Sequence, residues 1–136
     1  MSMPDPAAAT SHPVTSIADL QQTIDAWIGQ FEEGYWPPLA NLARLTEEVG
    51  ELARELNHAH GPKKKRGDQQ DRVAAELSDV IIAAATLANS LGIDLTASLN
   101  ATLAALTIRD ADRWARKSGP PSADGATTEQ PDNGTP

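Results

Sequence analysis

Arg44-Leu45-Thr46-Glu47-Glu48-Val49-Gly50-Glu51-Leu52-Ala53-Arg54-Glu55 is the stretch on which the reading of this chain turns. Leu42, Leu45, Val49, Leu52 and Leu56 recur through it at helical spacing. Three acids run along the same helix on another side. At about 100° per residue, Glu48 lies about 100° from Glu47, and Glu51 falls between the two. The carboxylates therefore share one stripe, about 130° from the centre of the apolar one. Like charges at i, i+1 and i+4 repel and weaken an isolated helix. A bound cation would offset that repulsion.

Working outward, this helix is expected from about Pro38 to Ala59, opened by Pro37-Pro38 and ended by Gly61-Pro62. Before it, Ser16 with Asp19 three positions on marks a helix start. Ile17, Leu20, Ile24, Trp27, Ile28 and Phe31 carry that helix to a break at Gly34. After it come the basic loop Lys63-Lys64-Lys65-Arg66 and a helix from about Gln70 to Leu91 that stops at Gly92. From Val80 to Leu91 this third helix is apolar nearly all round, which predicts the most buried position. Asp94 can cap a fourth, from about Leu95 to Arg116, with Leu95, Leu99, Leu103, Leu106 and Ile108 as core candidates. The fold class is all-α: a four-helix bundle with short, antiparallel connections. Residues 1–15 and 118–136 are rich in proline and small polar residues without periodicity, and are expected to be disordered around a helical domain at 16–117.

Glu76 and Asp79 form a second acidic pair, at i and i+3, just before the most apolar segment. Acids in that position are costly unless paired or bound to metal. If the second and third helices pack antiparallel, the two acidic stripes face each other. Carboxylates converging from two helices suit a hard divalent cation, and magnesium is the usual choice when phosphates complete its shell. Any one acidic pair on a helix is also compatible with a solvated surface.

Taken together, Glu47-Glu48-x-x-Glu51, a gap of two dozen residues and Glu76-x-x-Asp79 resemble the signature of the MazG-type all-α nucleotide pyrophosphohydrolases. Arg44-Leu45-Thr46 before the acids and Arg109-Asp110-x-Asp112-Arg113-Trp114 after them extend the similarity over about Ile17 to Lys117. The resemblance implies a four-helix unit that dimerises or tetramerises, and cleavage of a nucleoside triphosphate between its α- and β-phosphates. It implies Glu48, Glu51, Glu76 and Asp79 as ligands of Mg2+, with Mn2+ as a substitute. Glu47 and Glu48 become the catalytic carboxylates, Glu47 binding a second metal or orienting the attacking water. Arg109 and Arg113 become triphosphate ligands. This chain has Ala105 and Thr107 where the family pattern carries a lysine and an asparagine nearby.

Other residues admit two readings. Arg109 and Arg113 suit phosphate as a fork, or the C-terminal end of a helix as cations. Trp36 can stack a base or plug the bundle end. Asn41, near the acid stripe, can contact base or sugar or simply face solvent. Glu55-x-x-His58 is half of a di-iron pattern that needs two such pairs, and only one exists.

Composition supports and bounds this reading. Of 136 residues, 4% are aromatic and none is cysteine, which favours helix and excludes disulfides and zinc–thiolate sites. The net charge of −8 argues against nucleic-acid binding through phosphates. The longest apolar run, Val80 to Ala88 with Thr86 inside it, is too short to span a bilayer, and no signal peptide is evident, so a cytoplasmic protein is expected. An all-round apolar helix in so small a bundle has more apolar surface than its neighbours cover, which predicts a homo-oligomer. Two rival functions are a phosphoribosyl-ATP pyrophosphohydrolase of the same superfamily and a non-catalytic helical interaction module.

Overall fold

The computed structural model describes residues 13–62 and 69–117, which contain four α-helices and no strand. These are α1 (Ile17–Ile28), α2 (Pro38–His60), α3 (Gln69–Ser90) and α4 (Leu95–Arg109). The expected disorder at 118–136 and over most of 1–15, and the basic loop Lys63 to Arg66, lie outside the described residues.

The starts follow the capping chemistry read from the sequence. The Asp19 N–H donates to the Ser16 hydroxyl at 3.0 Å, and the Ala97 N–H donates to the Asp94 carboxylate at 3.0 Å. Proline at the first position opens α2. Two ends differ from expectation. α1 stops at Ile28, with Gly29 as its C-cap, and leaves Phe31 in the connector, where Gly34 takes φ +60°. α4 stops at Arg109 rather than Arg116. Asp110 caps it and its carboxylate accepts two hydrogen bonds from Arg109, at 3.0 and 2.9 Å. Aspartate is a poor helix former, so Asp110 and Asp112 weaken continuation, and the Arg109 guanidinium offsets the Asp110 charge at the negative end of the helix.

α2 and α3 pack along their length as an antiparallel pair, the main contact of the fold. α1 lies against α3, and α4 touches α1. The core is small: Ile24, Ile28 and Ala85, with Leu20, Tyr35 and Leu95 packed against it. A polar clasp joins the pieces. Gln21 donates to Asn89 Oδ1 at 2.7 Å and to the Ile93 carbonyl at 2.8 Å, while its own side-chain oxygen accepts from the Leu95 N–H at 3.0 Å. Asn89 donates to the Gln21 carbonyl at 2.8 Å and to the Tyr35 hydroxyl at 2.9 Å; that hydroxyl in turn donates to Asp25. The connector carrying Trp36 is thereby tied to α1 and α3.

Apolar residues are where the sequence reading misses most. Leu42, Val49 and Leu56, assigned to the inward stripe of α2, are exposed, and the buried residues of that helix are Asn41, Glu48 and Glu55. On α3, small residues are buried (Ala83, Ala85, Ala88), whereas Leu77, Ile81 and Ile82 are exposed. Leu99, Leu103 and Ile108 of α4 are exposed too, and α4 has no buried residue. Ala85 meets Ile24 and Ile28 of α1, so the larger side chains at this contact come from α1.

Length and composition also qualify α3 for more than the short apolar run suggests. The 19 residues Arg72–Ser90, with mean hydropathy 1.3 and 11% of the window buried, meet the criteria for a membrane-crossing helix. That window includes Glu76 and Asp79, which meet Glu48 of α2. Carboxylates at such a depth in lipid are expensive, whereas here they converge with a carboxylate of the facing helix.

Candidate active site

The antiparallel pairing of α2 and α3 gives the acids their geometry. Glu48, Glu76 and Asp79 each offer a carboxylate oxygen, and the three oxygens lie within 4.8 Å of one another. Glu48 is 5% exposed, Glu76 intermediate and Asp79 exposed, so the cluster opens outward from a closed inner wall. Burial first, then the charges of Glu51, Asp79 and Glu48, raise the Glu76 carboxyl above its ordinary pKa of 4.5. Mutual repulsion of this kind is what a divalent cation relieves, and oxygen donors this close suit a hard one.

Glu51 stands beside the trio without joining it. Its carboxylate pairs with Arg54, yet its charge reaches Glu76. Glu47 is exposed and accepts a hydrogen bond from Arg44 at 2.9 Å. Arg44 also pairs with Glu48. The Glu47 hydrogen bond, then the Glu48, Glu47 and Asp79 charges, push its guanidinium above its usual range against the opposing effect of burial. Arg44 is thus a cation set among three of the acids, a role the sequence reading did not give it. Its spacing of three and four residues from Glu47 and Glu48 was the available signal.

A cleft of about 470 Å³ adjoins the cluster, within the range of small-molecule sites. Arg44, Glu48 and Asp79 line one part of it. The rest of its wall includes Trp27, Phe31, Trp36, Asn41 and Ile82. Trp36 and Asn41, both expected to meet substrate, are therefore in the same cleft as the acids. Asn41 is 4% exposed and donates to the Trp36 carbonyl at 2.9 Å, fixing the connector against α2. Trp27 and Phe31, which share the helical spacing of the first segment, form an edge-to-face pair (centroids 5.1 Å apart) and are half exposed.

Arg109 and Arg113 are not among the cleft residues. Both engage Asp110 at the end of α4, Arg113 at 3.4 Å. Glu55, two turns beyond Glu48 on the same face, is buried with its Oε2 and the neighbouring His58 Nδ1 lacking hydrogen bonds. Burial acts to raise the Glu55 pKa, but His58 and Arg54 outweigh it and hold the carboxyl below its usual range.

Facing helices thus bring three carboxylates to the edge of a cleft, an arrangement able to hold a divalent cation beside a small-molecule ligand. Comparison with known proteins gives the family. Residues 37–114 match the MazG nucleotide pyrophosphohydrolase domain. The uncharacterized protein YpjD of Bacillus subtilis (strain 168) is 47% identical over 103 residues, covering 75% of this chain and 93% of the relative. The dATP/dGTP diphosphohydrolase of Cyanophage S-2L is 37% identical over 101 residues, covering 74% and 80%. The crystal structure of the Bacillus-conserved MazG protein, a nucleotide pyrophosphohydrolase, has a TM-score of 0.63 at 44% identity, covering 75% of this chain and all of that one. The chain belongs to the MazG nucleotide pyrophosphohydrolase family. The resemblance drawn from the two acidic motifs is thus borne out, as are the all-α class and the enzymatic reading.

Proposed function

We propose that this protein hydrolyses (deoxy)nucleoside triphosphates between the α- and β-phosphates, using Mg2+, with Mn2+ as a substitute. The observation that carries the proposal is the convergence of Glu48, Glu76 and Asp79 beside a cleft lined by Trp36 and Asn41. Glu48, Glu76 and Asp79 would hold the cation, with Glu51 joining them by releasing Arg54. A divalent cation there supplies positive charge to the triphosphate and Lewis acidity toward water.

The chain's own groups do the rest. Water oxygen bonds to the α-phosphorus as the bond to the bridging oxygen breaks, leaving a monophosphate and pyrophosphate. The water proton passes to a carboxylate, and Glu47, exposed and oriented by Arg44, is suited to take it. Arg44 sets a fixed positive charge beside the acids. Trp36 offers an aromatic face to the base.

Residues 16–117 form the functional unit in this reading, acting in the cytoplasm on nucleotide pools as a house-cleaning enzyme. The exposed Leu42–Val49–Leu56 stripe, together with Leu99 and Leu103, supports a homo-oligomer, a dimer or a tetramer. Arg109 and Arg113 would then grip triphosphate only by leaving Asp110 or by serving a neighbouring protomer's cleft.

Pyrophosphate release from a panel of nucleotides with Mg2+ tests the proposal. Wild type is expected to act on at least one of them and Glu48→Gln to be inert. Cleavage of none, with the two proteins alike, would refute it. Activity confined to phosphoribosyl-ATP would assign a different substrate to the same site.

A further inference from the structure

We infer that the end of the cleft away from the acids reads the base by hydrogen-bond acceptors, with Glu33 selecting nucleotides whose base carries an exocyclic amino group. The inference rests on the nucleotide reading above and adds to it a specificity-determining residue and a substrate preference.

The geometry comes from the antiparallel pair. Asn41 precedes Glu48 by seven residues on α2, and Thr86 follows Asp79 by seven on α3. All four line the cleft. At 1.5 Å per residue, each separation is about 10 Å along its helix axis, and both lead to the same end. That distance is on the scale of a nucleoside. With the phosphates at Glu48 and Asp79, the base falls between Asn41 and Thr86, at the connector that supplies Glu33 and Trp36.

Three polar side chains at this end present acceptors. One amide N–H of Asn41 is spent on the Trp36 carbonyl at 2.9 Å. That partner only accepts, so Asn41 Oδ1 is left as an acceptor, beside the second amide N–H. Thr86 donates its hydroxyl proton to the Ile82 carbonyl at 2.8 Å, leaving lone pairs. Glu33 is exposed and, when ionised, only accepts. Among the described residues it has no ion-pair partner, whereas Glu47, Glu48 and Glu51 each pair with an arginine. The Glu33 carboxylate, as the acceptor-only group at this end, matches the amino groups of adenine, cytosine and guanine, and guanine adds its adjacent ring N–H. Uracil and thymine present carbonyl oxygens flanking a single N–H, so a carboxylate there meets like polarity. A site that hydrogen-bonds a substrate N–H discriminates against analogues lacking it.

The test compares dGTP, dATP and dCTP with dTTP and dUTP on the full chain, by kcat/KM with Mg2+ and by the Kd of their α,β-methylene analogues. Wild type is expected to favour the amino-bearing set by about tenfold or more. Glu33→Gln and Glu33→Ala are expected to narrow that ratio to about threefold or less, since neither presents an acceptor-only group. A flat ranking in wild type, a ranking that survives both substitutions, or failure to bind any analogue would overturn the inference. If no nucleotide is turned over but the analogues rank as expected and Glu33→Gln flattens them, the base-reading role stands and the hydrolytic reading falls.

Discussion

Two neighbouring stripes of α2 invert the ordinary arrangement of a helix. Asn41, Glu48 and Glu55, seven residues apart, are buried against α3, at 4%, 5% and 4% exposure. Leu42, Val49 and Leu56, one residue further on in each case, are exposed. Burying acids while exposing leucines costs stability twice over. The arrangement makes sense if Glu48 and Asn41 serve a cation and a nucleotide, Glu55 is held by Arg54 and His58, and a second protomer covers the apolar stripe. Polar burial inside a chain and apolar exposure outside it are then two consequences of one functional design.

Substitutions can break that comparison stripe by stripe. The largest effect belongs to the polar one. Asp79→Asn and Glu76→Gln are expected to lower kcat/KM for nucleotide hydrolysis by on the order of 100-fold or more, read by pyrophosphate release. Retention of most activity would detach the acids from catalysis. The apolar stripe should answer in a different assay. Val49→Glu combined with Leu56→Glu is expected to shift sedimentation toward the monomer, and an unchanged oligomer would place the interface elsewhere.

A smaller effect tests the aromatic wall of the cleft. Trp36→Ala should raise KM by roughly three- to tenfold through lost stacking, with a lesser change in kcat. A fall in kcat alone would assign Trp36 to the chemistry instead.

The pH dependence of the metal-free protein sharpens the electrostatic side. The Glu76 pKa is raised in the folded chain, above 4.5, by burial and by Glu51, Asp79 and Glu48. The folded state then binds protons more readily than the unfolded one, so this group favours folding when protonated and disfavours it as pH rises through the folded value. Glu76→Gln should therefore have a higher Tm than wild type at neutral pH without divalent ions. The gap should close as the pH falls through that raised range. A gap that widens on acidification would reverse the sign. Smallest of all, Asp94→Ala should cost about 1 kcal/mol through loss of the α4 N-cap, checked by denaturant unfolding.

The helices themselves were legible because their punctuation is local. Ser16, Pro38, Gly61, Gly92 and Asp94 mark boundaries close to those observed, and each acts within a turn of the chain. The acids were legible for the same reason: i, i+1, i+4 and i, i+3 spacings define a face without reference to the partner helix. Which face turns inward was not. Periodicity located the Leu42–Val49–Leu56 stripe and the Glu47–Glu48–Glu51 stripe, but the side of α2 that is buried, through Asn41, Glu48 and Glu55, is set by how α3 packs on it, which local spacing does not encode. The same limit hid the place of Trp27 and Phe31, whose helical spacing says nothing of the cleft wall they line. Arg109 and Arg113 show a further limit, since their capture by Asp110 depends on where α4 ends.

Direct binding of a divalent ion tests the central claim, that Glu48, Glu76 and Asp79 form a cation site. Mn2+ titrated into the full-length chain can be followed by the electron paramagnetic resonance signal of the free ion. Wild type is expected to deplete that signal saturably, and Glu48→Gln to bind at least about tenfold more weakly. Equal depletion by both proteins, or no depletion by wild type, would contradict the account.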